Sequence, residues 1–327
     1  MTEYRNYTYN SVLAPYIRDF IYEKRSLGFI YNVQAYQLKR FDIYWHNHGH
    51  DEVCITREMV EEWLCRLPNE SKSSQSGRIG AVKSLSIYMN TLGVKCYIPF
   101  FSIGKDHNTI HVLSGLEIQE LFKEIDSYVP ASINSADFRI ANEYPVMFRL
   151  YYCCGMRNNE VCALETSDVD LKSGILTIRN GKNQKDRLVY LSADLCQLTK
   201  DYFEYIKKNL GYVPFWFFPG RCPEKHVSKS QIDKKFSQFW KATDSSVYCD
   251  KKPTPHCLRH TYVVDRINRW IIEGIDLNVM FAYLSKYLGH KDPDESFYYY
   301  HLVSDAFKII RQRDSMADKV IPEVKHR

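Results

Sequence analysis

The stretch Ile175-Leu176-Thr177-Ile178-Arg179-Asn180-Gly181-Lys182-Asn183-Gln184-Lys185-Asp186-Arg187-Leu188-Val189-Tyr190-Leu191 decides the fold class. Residues 175–179 and 187–191 are short runs rich in β-branched and aliphatic side chains, and the seven residues between them are polar and include a glycine. That pattern predicts a β-hairpin. On either side the spacing of apolar residues becomes helical: Asp137 to Cys153 ahead of Gly155, then 193–209, 228–242, 257–271 and 277–287, with a last helix after Asp294. A small antiparallel β-sheet in a mainly α domain follows, which is an α+β arrangement.

The start of this domain is marked by Ser114-Gly115-Leu116-Glu117, a capping-box pattern that leads into Ile118, Leu121, Phe122 and Ile125. Residues 107–113 read as a linker, so the second domain covers 114–327 and the first covers 1–106. In the first domain, one stripe consists of Leu13, Ile17, Phe20 and Ile21 and stops at Gly28; a second consists of Val33, Tyr36, Phe41 and Tyr44. A third helix opens after Thr56 with Met59, Val60, Trp63 and Leu64 facing inward, and a fourth runs from about Ser76 to Leu92. Four short helices make an all-α domain. From Ser71 through Lys105 the chain carries Lys72, Arg78, Lys83, Lys95 and Lys105 and no carboxylate, which gives the fourth helix a face of one sign.

Composition bounds the rest. Of 327 residues, 45% are hydrophobic and 25% charged, which excludes disordered and collagen-like chains. A formal charge of +5 permits a nucleic-acid partner without requiring one. No run approaches the roughly 18 apolar residues of a membrane span, and the opening MTEYRNYTYN lacks the apolar core of a signal peptide. A cytoplasmic, nucleoid-associated protein without a membrane partner is expected. The ten cysteines include no C-x-x-C, so buried, reduced thiols are expected rather than a disulfide framework or zinc knuckle. His46-x-His48-x-His50 reads as a solvated loop, and Pro214-Phe215-Trp216-Phe217-Phe218-Pro219 as a buried strand or core plug. No metal site and no cofactor is expected.

Chemistry concentrates in the second domain. Gly155-Met156-Arg157-Asn158-Asn159-Glu160, His256-Cys257-Leu258-Arg259-His260 and Leu288-Gly289-His290 each put a cation or an imidazole near a turn, and Phe297-Tyr298-Tyr299-Tyr300-His301 follows. Fixed positive donors and a phenol suit a phosphodiester, whose transition state spreads negative charge over oxygen.

These residues, in this order, resemble the tyrosine recombinase, or phage integrase, family. The likeness extends over the whole chain, the first domain resembling the family's core-binding domain and the second its catalytic domain. It implies that Arg157 and Arg259 clamp the scissile phosphate, work that suits a planar, permanently charged guanidinium. It implies that Lys182 protonates the departing 5′ oxygen, with Lys185 as competitor, and that Glu160 orients Arg157. His256 and His290 fall on the family's two imidazole positions, the first assisting proton transfer and the second binding phosphate.

Three consecutive tyrosines would point about 100° apart on a helix, so only one faces the phosphate. The family's spacing and its Tyr-x-His pattern select Tyr299 as nucleophile. In the first domain, Arg78 and Lys83 are the candidates for DNA contact, since Gly80-Ala81-Val82-Lys83 resembles the family's groove-facing helix.

The resemblance implies site-specific cleavage and rejoining of double-stranded DNA through a 3′-phosphotyrosyl intermediate. It points to integration or excision of a mobile element, by an enzyme of the Xer or mobile-element type without an arm-binding domain. The alternatives are chromosome or plasmid dimer resolution, a type IB topoisomerase, and a catalytically silent DNA-binding accessory. A homo- or hetero-tetramer on DNA is implied, with a sister recombinase or directionality factor as further partners. The tail after Val303 either docks on a neighbouring subunit or folds back on its own domain.

Overall fold

The computed structural model describes residues 4–100, 103–104, 110–132, 134–179, 186–250, 252–289 and 299. The chain forms two compact units, Met1–Thr109 and Ile110–Arg327. In the first, α1 (Ala14–Ser26), α2 (Asn32–Asn47), α3 (Arg57–Leu64) and α4 (Lys72–Thr91) enclose a core that includes Leu13, Ile17, Phe20, Leu38, Phe41, Trp45, Val60, Val82, Leu85 and Met89. Thr56 caps α3 by accepting from the Met59 amide. Ser71 caps α4 through the Ser74 amide, so that helix begins a turn earlier than the apolar spacing alone predicts. The buried stripe of α2 is Ala35, Leu38, Phe41 and Trp45, whereas Val33 and Tyr36 are exposed. Apolar residues occupy both faces of α2, and packing selects the face carrying the larger Trp45.

Arg78 departs from the sequence expectation. It is fully buried, gives its Nη2 and Nε to the Glu70 carboxylate at 2.7 and 2.8 Å, and donates to the carbonyls of Trp63 and Cys65. Its guanidinium also lies 4.9 Å from the Trp63 ring centroid. Arg78 is therefore an internal tie between α3, the following turn and α4, and it is not available to a DNA groove. Lys83, five residues on, is half-buried on the same helix.

In the second unit, α5 (Gly115–Asp126) starts on the expected capping box: Ser114 Oγ accepts from the Glu117 amide, and the Glu117 carboxylate accepts from the Ser114 amide. Leu113, which the sequence reading gave to the linker, is buried here, and its amide donates to Thr261 Oγ1 at 2.9 Å. The single helix expected over 137–153 is two helices, α6 (Ser135–Ala141) and α7 (Tyr144–Cys154). Pro145 stands at the start of α7, where its missing N–H is harmless and its ring bars continuation from the preceding turn.

After the one-turn α8 (Asn158–Cys162) come β1 (Val169–Asp170), β2 (Ile175–Ile178) and β3 (Arg187–Tyr190), then α9 (Ala193–Leu210), α10 (Lys229–Ala242), α11 (Pro255–Glu273) and α12 (Leu277–Leu288). The three strands form one antiparallel sheet in sequence order, with Ile175 opposite Tyr190 and Ile178 opposite Arg187. A two-residue strand such as β1 carries too little alternation to be legible in sequence. Phe217 and Phe218 are fully buried, the core plug expected for that aromatic run, while Phe215 is exposed. Among the described residues, no helix is long and apolar enough to cross a membrane.

Candidate active site

Two helix C-terminal ends meet at one corner of the second unit. α7 ends at Gly155 and α12 at Gly289, both with left-handed backbone at φ 61° and 66°. A helix end leaves carbonyls without an intrahelical partner, carrying the negative end of the macrodipole. Those carbonyls hold the two arginines expected to clamp phosphate. Arg259, on the first turns of α11, donates to Gly155 O at 2.5 Å and Leu288 O at 2.9 Å. Arg157, at the start of α8, donates to Gly289 O at 2.8 Å.

Gly155 is required by space as well as by φ, and Gly289 by φ with a tight neighbour. A Cβ on Gly155 would lie 2.5 Å from the Tyr262 ring, and one on Gly289 would lie 3.2 Å from Arg157 Nη1.

Glu160 closes the cluster. Its carboxylate accepts from the Arg157 amide at 2.8 Å and from Arg157 Nη1 at 3.0 Å. It also takes a two-pronged bond from Arg187, at 2.8 and 2.6 Å, which the sequence reading did not foresee. Burial alone would raise the Glu160 pKa, but the hydrogen bonds and charge of Arg187, with those of Arg157, hold it below the usual carboxylate range. Burial, together with the charge of Arg157, lowers the Arg259 pKa to about 10, which leaves it cationic near neutral pH.

His256 and His260 sit one turn apart on α11, with ring centroids 4.4 Å apart in a T-shaped arrangement. His256 keeps an exposed edge, yet the protein packed around it and the charges of Arg259 and Arg157 push its pKa down to about 4. It is therefore neutral near pH 7. The imidazole that touches Tyr299 is the other one. His260 Nδ1 lies 2.7 Å from the Tyr299 hydroxyl, and Tyr299 is only 4% exposed, packed into the cluster formed by α11 and α12.

The structure thus brings together Arg157, Glu160, His256, Arg259 and Tyr299, and adds Arg187 and His260. Lys182, Lys185, His290, Tyr298 and Tyr300 lie outside the described residues, as does the tail after Val303. His260 was legible in principle, because the i, i+4 spacing from His256 puts both on one helix face. Arg187 carried no comparable signal, since it meets Glu160 only when the hairpin folds onto α8.

The model of the phage integrase family matches residues 111–305, more than half of the chain. The chain belongs to the phage integrase family. A tyrosine recombinase of Pseudothermotoga lettingae is 25% identical over 255 residues, covering 76% of this chain and 79% of that one. The fold is shared with the XerH site-specific recombinase bound to palindromic difH substrate in a post-cleavage complex, at TM-score 0.63 and 19% identity over 89% of this chain and 80% of that one. It is shared too with the Tn1549 transposon integrase in complex with transposon right end DNA, at TM-score 0.61 and 15% identity over 92% and 99% of the two chains. This integrase-family chain is accordingly an enzyme of the tyrosine recombinase class.

Two other groups bear on metal binding. His111, Glu117 and Cys249 bring ligand atoms within 4.8 Å of one another. The His111 ring, however, stands between its partners, with Nε2 2.9 Å from Glu117 and Nδ1 4.0 Å from Cys249. Lone pairs on opposite edges of one imidazole do not converge on a single ion. In the His46–His50 segment, His48 spans the Tyr44 carbonyl and the Glu62 carboxylate and stacks on His50, so its nitrogens are engaged in local contacts.

Proposed function

We propose that the chain cleaves and rejoins double-stranded DNA at specific sites, with Tyr299 as nucleophile. The observation that carries this reading is the pair of guanidinia, Arg157 and Arg259, fixed on the carbonyls of one turn, Leu288-Gly289, in the same corner as a buried tyrosine. Donors held in place before reaction stabilise the charge that develops on the non-bridging oxygens without having to reorganise. The positive charge of Arg259 at the same corner suits negative charge developing on the reacting oxygens. The product is a 3′-phosphotyrosyl bond and a free 5′ hydroxyl. Because the phosphodiester energy is retained in that bond, a 5′ hydroxyl from another duplex can attack it and rejoin the strands without a nucleotide cofactor.

In this reading Lys182 protonates the leaving 5′ oxygen, His290 binds the phosphate, and His256 acts as a neutral donor or acceptor beside the arginines. Lys83 belongs to a DNA-facing helix of the first unit. The enzyme works as a tetramer on DNA and serves integration or excision of a mobile element. The fold shared with a transposon integrase supports that use, and the likeness to Xer recombinases supports dimer resolution as the second reading.

The test incubates the chain in EDTA with nicked duplexes drawn from the DNA flanking its gene. A covalent adduct mapping to Tyr299 and absent from Tyr299→Phe is expected. An adduct on Tyr298 or Tyr300 would displace the nucleophile assignment, and salt-sensitive binding without any adduct would favour a silent accessory protein.

A further inference from the structure

We infer that His260 is a catalytic residue of this reaction: its Nδ1 takes the proton of the Tyr299 hydroxyl as that oxygen attacks phosphorus, and returns it when the strand is rejoined. The inference rests on the strand-transfer reading above and names a residue for which that reading gave no role. A tyrosine hydroxyl ordinarily titrates near pH 10, so near neutrality the proton must leave during attack. A base qualifies by standing within about 2.6–3.2 Å of that proton's oxygen. His260 stands at 2.7 Å, and Tyr299 is 4% exposed, so bulk solvent has little access to the hydroxyl.

The surroundings suit a proton acceptor. With its own proton on Nε2, the neutral ring presents the Nδ1 lone pair to the hydroxyl. His260 adjoins Arg259, whose guanidinium is anchored on two carbonyls, so the backbone that carries the imidazole is held on the same frame as the phosphate clamp. The His256 ring packs against it edge to face and is uncharged near neutral pH. A cation forming on His260 therefore meets a neutral ring there.

The Tyr299 Oη–H bond breaks and the proton passes to His260 Nδ1, while an Oη lone pair forms the bond to phosphorus. The bond from phosphorus to the 5′ oxygen breaks with its electron pair on that oxygen, which takes a proton from the ammonium group proposed at Lys182. Rejoining runs the transfers in reverse.

The experiment measures single-turnover adduct formation on the nicked flanking duplex in EDTA. It uses two forms of the substrate, one natural and one with sulfur replacing the bridging 5′ oxygen at the cleaved phosphate. A thiolate leaves without being protonated, so sulfur rescues a defect in leaving-group protonation and does not rescue a defect at the nucleophile. His260→Asn keeps a polar atom near the Nδ1 position but cannot accept the proton. It is expected to form adduct about 100-fold more slowly on both substrates, with unchanged DNA affinity and melting temperature, whereas Lys182→Ala recovers on sulfur.

His260→Ala adds a readout that a structural role would not move. Free imidazole should restore part of its rate, and this also decides the matter if His260→Asn fails to fold. The inference is overturned if His260→Asn cleaves the natural substrate at the parent rate, if sulfur restores its rate, or if imidazole leaves His260→Ala unrescued. Failure of the underlying reading looks different, since the parent chain itself would then form no adduct at Tyr299.

Discussion

The pair formed by Glu160 and Arg187 allows a quantitative test of how the corner is held together. Both side chains are largely removed from solvent, at 7% and 8% exposure, and they share a two-pronged contact of 2.6 and 2.8 Å. Burial on both sides places the pair in the class where removing one partner strands a charge and costs about 3–5 kcal/mol, rather than the ~0–1 kcal/mol of a surface pair. Glu160→Gln leaves Arg187 and Arg157 without their carboxylate, beside a third guanidinium at Arg259. Arg187→Met leaves the Glu160 carboxylate with Arg157 alone. Each single change is therefore expected to lower the unfolding free energy by about 3 kcal/mol.

The double variant removes the pair together and should lose little more than either single one, giving a coupling of about 2–3 kcal/mol. Urea unfolding of the four proteins followed by circular dichroism measures this, with equal slopes required for the comparison. Additive losses, or single losses under about 1 kcal/mol, would refute the claim that Glu160 is shared between Arg157 and Arg187.

Gly155→Ala should destabilise the protein by about 2–5 kcal/mol, read from thermal melting, because it forces a left-handed alanine against the Tyr262 ring. His256 should titrate below its ordinary pKa of about 6.5 in an NMR titration, and Arg157→Met should move it upward by removing a facing charge. The sign for stability follows: between about pH 6.5 and pH 4 the unfolded chain binds the proton that the folded chain refuses, so stability falls as pH drops through that window and levels off below it. The exposed edge of the ring moderates the size of that loss through solvent screening. Arg78→Met should cost about 3 kcal/mol in stability by stranding Glu70, whereas Lys83→Gln should leave melting unchanged and reduce the slope of log affinity for duplex DNA against log salt by about 1.

The parts of the fold that sequence made legible are those with local signals. The capping box at Ser114, the cap at Thr56, and the glycines after α7 and α12 mark element ends by chemistry contained within four residues. Arg157, Glu160 and Arg259 were legible because each lies beside such an end. What escaped was contact between distant segments. Arg187 is 27 residues from Glu160, and His260 is 39 residues from Tyr299. The expectation for Arg78 failed for a related reason. The stretch without carboxylates was counted from Ser71, and Glu70, directly before it, neutralises the arginine from across the turn. A run of one charge sign along the chain is not a face of one sign in space.

Anchoring the arginines on helix-end carbonyls has an effect on the charge balance of the free enzyme. A carbonyl satisfies a guanidinium's hydrogen bonds without cancelling its charge. At this corner the Glu160 carboxylate is shared by Arg157 and Arg187, while Arg259 is held by the carbonyls of Gly155 and Leu288. Burial, and after it the charge of Arg157, lowers the Arg259 pKa. In the proposed reaction, a phosphodiester entering between these guanidinia would relieve the repulsion between them as it binds. Under that proposal, stability of the free protein and readiness for a phosphate are opposed at this corner.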